Sequence, residues 1–98
     1  MQKNAHRAVE LLKCLSNEYR LMLICTLAGG ELSVGELNQC MPFLSQSALS
    51  QHLAVLRDAG LVNTQRQSQS IVYYLSDSPG LELVEKLNQI YSDAAETE

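Results

Sequence analysis

The chain contains no tryptophan, one phenylalanine, two prolines and three cysteines, and its seven lysines and arginines are outnumbered by eleven acidic residues. Each shortage excludes something. Cys14, Cys25 and Cys40 are odd in number and form no CxxC pair, which argues against a secreted disulfide framework and leaves reduced thiols as the default. The longest unbroken apolar runs, such as Leu21 to Cys25, fall far short of the roughly 20 residues that span a bilayer. With no signal-peptide pattern at the N-terminus, a cytoplasmic protein without a membrane partner is expected. There is no glycine-rich phosphate loop, metal-ligand cluster or nucleophile elbow, and 98 residues leave little room for a cleft, so neither an enzyme nor a cofactor is expected.

What is present fits one small domain spanning residues 1–98. An apolar share of 46% is enough for a packed interior, yet a chain this short buries a modest part of its surface and gains stability from a partner, so dimerisation is expected. The net charge of −4 stands at odds with nucleic acid, since affinity for DNA comes largely from lysine and arginine neutralising phosphates. Its distribution matters more than its sum. Residues 76–98 set Asp77, Glu82, Glu85, Asp93, Glu96 and Glu98 against Lys86, whereas residues 45–75 hold Arg57 and Arg66 against Asp58. A weakly positive middle and an acidic tail are compatible with a DNA-binding face whose opposite side repels the duplex.

Hydrophobic periodicity orders the elements. Ala8, Leu12 and Leu15, with Val9 and Leu11 beside them, predict an amphipathic helix over 5–15. Ser16 and Asn17 can cap a second helix, YRLMLICTLA, apolar nearly all round and therefore expected to run through the centre until Gly29-Gly30 stops it. Glu31-Leu32-Ser33 reads as short and extended, and Ser33 caps a brief helix over Val34 to Cys40 that ends before Pro42. A fourth helix, about 45–59, begins at its cap Ser45, carries Leu49, Leu53 and Leu56 on one stripe and stops at Gly60. The period then changes: LVNTQR and SIVYYL, over about 62–75, form a β-hairpin with Gln67-Ser68-Gln69 at its tip. A closing helix over about 80–93 follows, marked by Leu83, Val84, Leu87, Ile90 and Tyr91. This is the order of a winged helix-turn-helix, mainly α with a β-hairpin wing.

The fourth helix carries the chemistry. At 100° per residue the leucine stripe faces inward, while Ser47, Ser50, Gln51, Ala54 and Asp58 face outward, flanked by Gln46 and Arg57. A solvated face is the plain explanation, since serine and glutamine are surface residues by default. Serine is an indifferent helix former, however, so three of them near the start sacrifice local stability that glutamate or lysine would have supplied. Serine and glutamine do hydrogen-bond base edges, and the first turns of the second helix in a helix-turn-helix are those that reach the floor of the major groove. Ser45, with the free N–H groups beside it, suits a phosphate. The hairpin adds Gln65, Arg66, Gln67 and Gln69, a polar tip with one cation fit for the backbone or the neighbouring minor groove; an ordinary solvated turn is the rival.

The runs ELSVGEL, SQSALSQHLAVLRDAGLV and TQRQSQSIVYYL resemble the ArsR/SmtB family of winged-helix transcription regulators over nearly the whole chain, and are most similar to its metal-independent, HlyU/BigR/NolR-like branch. The resemblance implies a homodimer built by the first and last helices, presenting two recognition helices to a palindromic double-stranded operator. DNA contacts are expected from Ser45, Gln46, Ser47, Ser50, Gln51, His52, Arg57, Arg66, Gln67 and Gln69. For His52, on the flank of that helix, a packed or hydrogen-bonding role is the competing reading.

No metal is expected: metal-sensing relatives place cysteines in the short third helix or histidine and acidic ligands on the last, and neither set is here. Redox-responsive relatives are similar in carrying a cysteine within LMLICTL, here Cys25, and pair it with a cysteine after an aromatic residue in the last helix. Here Ile90-Tyr91 is followed by Ser92, whose hydroxyl cannot form a disulfide with Cys25. The chain has lost that switch, uses Cys25 with Cys14 or Cys40, or carries serine as an engineered replacement. Without such a role Cys14 and Cys25 are core residues, and Cys40, beside Met41-Pro42, is the exposed one. The alternatives to a thiol-responsive repressor or anti-repressor are a constitutive regulator and a winged-helix protein-interaction module.

Overall fold

Leu49, Leu53 and Leu56 are 0, 1 and 0% exposed, and the rest of the chain is arranged around this stripe. The computed structural model describes residues 2–96, with side chains as far as Tyr91. A 3-10 turn, Gln2–Asn4, leads into α1 (Ala5–Leu15) and α2 (Glu18–Leu27); β1 (Leu32–Ser33) precedes α3 (Val34–Cys40) and α4 (Gln46–Asp58). The hairpin is β2 (Val62–Gln67) and β3 (Ser70–Leu75), and α5 (Pro79–Glu96) closes the fold, several residues longer than its hydrophobic stripe predicts.

Local chemistry sets the helix ends. Asn17 Oδ1 accepts the Arg20 N–H at 3.1 Å to start α2. At α3, Ser33 Oγ accepts from the Glu36 N–H at 3.2 Å while Glu36 Oε1 accepts from the Ser33 N–H at 2.9 Å, a reciprocal capping box. Ser45 Oγ caps α4 by accepting from the Ala48 N–H at 3.0 Å. Gly60 ends the same helix with φ +78°, and the Gly60 N–H to Arg57 O and Leu61 N–H to Leu56 O bonds, both 3.0 Å, complete a Schellman motif.

The extended residues before α3 join the hairpin. Strand β3 is central in an antiparallel sheet ordered β1-β3-β2, with Leu32 opposite Tyr73 and Val62 opposite Leu75. Leu23, Ile24 and Leu27 of α2, Leu37 and Met41 around α3, and Leu61, Val62 and Val84 close over the α4 stripe. Burying three leucines is worth on the order of 5–9 kcal/mol. No hydrogen bond on the outer face, at about 1 kcal/mol net, could rotate α4 away from that arrangement.

Three expectations need correction. Helix α2 is not buried all round: Arg20, Leu23, Ile24 and Leu27 face the neighbouring elements, while Tyr19 (39%) and Met22 (38%) stand exposed, with Cys25 among the exposed residues. Cys25 is therefore not a core residue, whereas Cys14 is buried and Cys40 exposed. The inward face of α1 runs through Ala8, Leu11, Cys14 and Leu15, so Leu12 points outward. The molecule is thin, 43 × 39 × 22 Å, and its radius of gyration of 14.1 Å exceeds the ~13 Å of a compact chain this long.

Candidate nucleic-acid interface

Because the leucine stripe is locked inward, the opposite side of α4 must face out. Gln46, Ser47, Ser50, Gln51, Ala54, Arg57 and Asp58 are all exposed, as their spacing predicts. Ser45 is exposed too, but its hydroxyl is engaged in the cap, so what it offers a ligand is the helix end. The N–H groups of Gln46 and Ser47 fall in the first turn, where helix geometry provides no partner, and the positive end of the helix dipole lies there. This face combines hydrogen-bonding groups with one cation, Arg57, near its far end.

The Schellman turn feeds directly into β2, which packs on α4, so the hairpin is held against that helix. Its reversal is tighter than the sequence predicts: Gln67 pairs with Ser70, leaving Ser68-Gln69 as the turn, with Ser68 at φ +56°. Arg66, Gln67 and Gln69 are exposed. The side chains are partly committed, since Arg66 Nε donates to Ser68 O at 3.3 Å and Gln67 Nε2 donates to Glu31 Oε1 at 2.9 Å.

His52 differs from the other candidates. It is half-buried, its Nδ1 lies 3.5 Å from Arg20 Nη1, and its ring sits 6.0 Å from that of Tyr19. Burial, and then the Arg20 charge, hold its pKa below the usual histidine value. A neutral ring with the proton on Nε2 is the tautomer that lets Nδ1 accept from Arg20. The sequence places His52 on the flank of α4 but does not reveal this partner. The available signal was a single arginine in the apolar run YRLMLIC. Tyr19 and Phe43 were missed as well: their rings lie 5.7 Å apart, with Phe43 57% exposed just ahead of α4.

Of the thiols, burial pushes Cys14 above its ordinary pKa, with the Arg20 charge and hydrogen bond opposing the shift. The side chain of Ser92 lies outside the described residues. Among the described residues no group of three histidine, cysteine or acidic side chains could hold a metal, and no helix is long and apolar enough to cross a membrane.

A helix-turn-helix formed by α3 and α4, followed by a hairpin and a closing helix, defines a winged-helix DNA-binding regulator. The model for bacterial regulatory proteins of the arsR family matches residues 17–64. The transcriptional activator HlyU of Vibrio cholerae is 50% identical over 94 residues, 96% of this chain and 86% of its own length. The biofilm growth-associated repressor of Xylella fastidiosa is 46% identical over 91 residues, 93% of this chain and 79% of its own. Solved structures agree: HlyU from V. cholerae gives a TM-score of 0.86 at 50% identity, covering 94% of this chain and 99% of that one. BigR from X. fastidiosa, a transcriptional repressor, gives 0.86 at 45% identity, covering 96% and 92%. This chain belongs to the ArsR family, whose members are DNA-binding transcriptional regulators and not enzymes.

Proposed function

We propose that the chain binds a palindromic double-stranded operator as a homodimer in the cytoplasm, with α4 reading the major groove and the hairpin lying on the adjacent backbone. The observation that carries this reading is the division of α4 into a fully buried leucine stripe and an outer face of serine and glutamine. Ser47, Ser50 and Gln51 are the base readers; Gln46 and the helix end at Ser45 take a phosphate; Arg57, Arg66, Gln67 and Gln69 contact the backbone.

The dimer reading is supported by apolar side chains that a lone protomer leaves in water. Val9 (45%) and Leu12 (55%) on α1, and Ile90 (49%) and Tyr91 (69%) on α5, lie on the helices expected to pair. A two-fold dimer then presents its α4 helices to half-sites about 34–36 Å apart, one turn of B-DNA. The relatives include a named activator and a named repressor, so the same contact serves either direction of control.

The test is a fluorescence-anisotropy titration of a duplex from upstream of the chain's own gene against a scrambled duplex, at several salt concentrations. Preferential binding that weakens steeply with salt is expected; equal or absent binding would leave a protein-interaction module. Exposure of Cys25 favours thiol-responsive control as a second reading. Treating the reduced protein with a persulfide donor should then release the duplex, and unchanged binding would mark a constitutive regulator.

A further inference from the structure

Arg20 reaches three elements at once. Its backbone N–H is held by Asn17 Oδ1, fixing the start of α2. Its Nε donates to Cys14 O and its Nη2 to Lys13 O at 3.4 Å, both carbonyls in the last turn of α1. Those carbonyls lie where helix geometry leaves acceptors over and at the negative end of the α1 dipole, so a guanidinium is well matched to them. The remaining nitrogen, Nη1, stands 3.5 Å from His52 Nδ1 on α4. His52 lies between exposed Gln51 and buried Leu53, at the boundary between the outer face and the core.

We propose that Arg20 is a positioning residue for DNA recognition: by gripping the end of α1 and the ring of His52 together, it sets how α4 presents Gln51 and couples α1 to the reading face. This rests on α4 being the helix that reads DNA. Arg20 itself is half-buried and occupied by protein acceptors, so its part is played through His52.

The arrangement carries a diagnostic sign. Neutral His52 accepts from Arg20, whereas protonated His52 offers no acceptor and places a second positive charge beside the guanidinium. The charge acting on His52 is Arg20, and Tyr19 is its aromatic neighbour. On its other side Arg20 lines a surface cavity whose titratable and charged groups are His6, Arg7, Glu10, Lys13, Cys14 and Asp58, and which His52 does not line. Because burial and the Arg20 charge lower the His52 pKa in the fold, the contact is intact at and above the ordinary histidine value and is lost as pH falls through the lowered one. A histidine on a DNA phosphate would act in the opposite sense, tightening binding on protonation.

The probe is the duplex that the wild-type chain enriches from a random-sequence pool, with a scrambled duplex alongside. Arg20→Met and His52→Leu are expected to weaken the enriched duplex about tenfold and the scrambled one less than about twofold, with the salt slope unchanged. His52→Asn, which places an amide oxygen near the lost Nδ1, should stay within about twofold of wild type and remove the loss that the wild type shows as pH falls through the lowered His52 value. Loss of fold stability alone would weaken the enriched and scrambled duplexes by the same factor. If Arg20→Met fails to fold, the two His52 variants decide by themselves. Equal affinities for His52→Leu and wild type overturn the proposal while leaving the DNA reading intact. So does an Arg20→Met loss shared by both duplexes with a shallower salt slope, which would make Arg20 a phosphate contact. A wild-type chain that enriches no duplex overturns the DNA reading and the proposal together.

Discussion

Gly80 is buried directly against Leu61: a Cβ at position 80 would overlap Leu61 Cδ2 and stand 3.0 Å from Leu11 Cδ1. Glycine thereby lets the first turn of α5, which opens at Pro79 with Ser78 Oγ accepting the Leu81 N–H, sit flush on α1 and the end of the α4 turn. Gly80→Ala should cost about 1–3 kcal/mol in urea unfolding, the range for overpacking a closed site. In a Leu61→Ala background the same change should cost little, because the atom it strikes is gone. An equal cost in both backgrounds would mean that the glycine serves the helix start and not this contact.

At the hairpin turn a serine stands where the backbone favours glycine. Ser68 holds φ +56° at the hairpin turn, a conformation that costs an L-residue roughly 1–2 kcal/mol, part of which glycine returns as unfolded-state entropy. Ser68→Gly is therefore expected to stabilise the chain by up to about 1 kcal/mol, and Ser68→Val to destabilise it by at least as much. Thermal unfolding of the two variants checks this, and a Ser68→Val chain as stable as wild type would sink it.

The three thiols should separate sharply toward an alkylating reagent. Cys25 and Cys40 are exposed, while Cys14 is buried and its thiol pushed up by burial. At pH 8, mass spectrometry of the native protein should show Cys25 and Cys40 labelled well ahead of Cys14, with Cys14 reacting fully only in denaturant. Labelling of Cys14 as fast as Cys25 would show that α1 lifts away in solution, and that its packing on α2 is weak.

How far the sequence discloses this protein depends on whether the signal is local. Helix ends were legible because their causes lie within a few residues: Ala5–Leu15 and Val34–Cys40 match the expected spans, and Ser45, Ser33 and Gly60 cap and stop as expected. The outward face of α4 was legible too, since three leucines fix its phase. Helix α2 was not, because YRLMLICTLA is apolar nearly all round and Arg20 alone marks a side; its neighbours decide that Leu23 is buried and Cys25 exposed. The His52–Arg20 contact, across 32 residues, and the addition of β1 to the hairpin are tertiary facts with no local signature.

Gln51 and Arg66 provide the clearest division between reading and gripping. Gln51 projects from the outer face of α4, where an amide could form paired hydrogen bonds with a base edge; Arg66 sits on β2 with its Nε on Ser68 O, leaving the rest of the guanidinium for phosphate. Gln51→Ala should cost about 1–3 kcal/mol on the cognate duplex and almost nothing on a scrambled one, so preference falls while the salt dependence stays. Arg66→Ala should weaken both duplexes about equally and make the salt dependence shallower by close to one counterion per protomer, because one phosphate contact is gone. Anisotropy titrations across a series of salt concentrations distinguish these outcomes. A Gln51→Ala chain that loses both duplexes equally would remove Gln51 from the base readers and shift specificity onto Ser47 and Ser50.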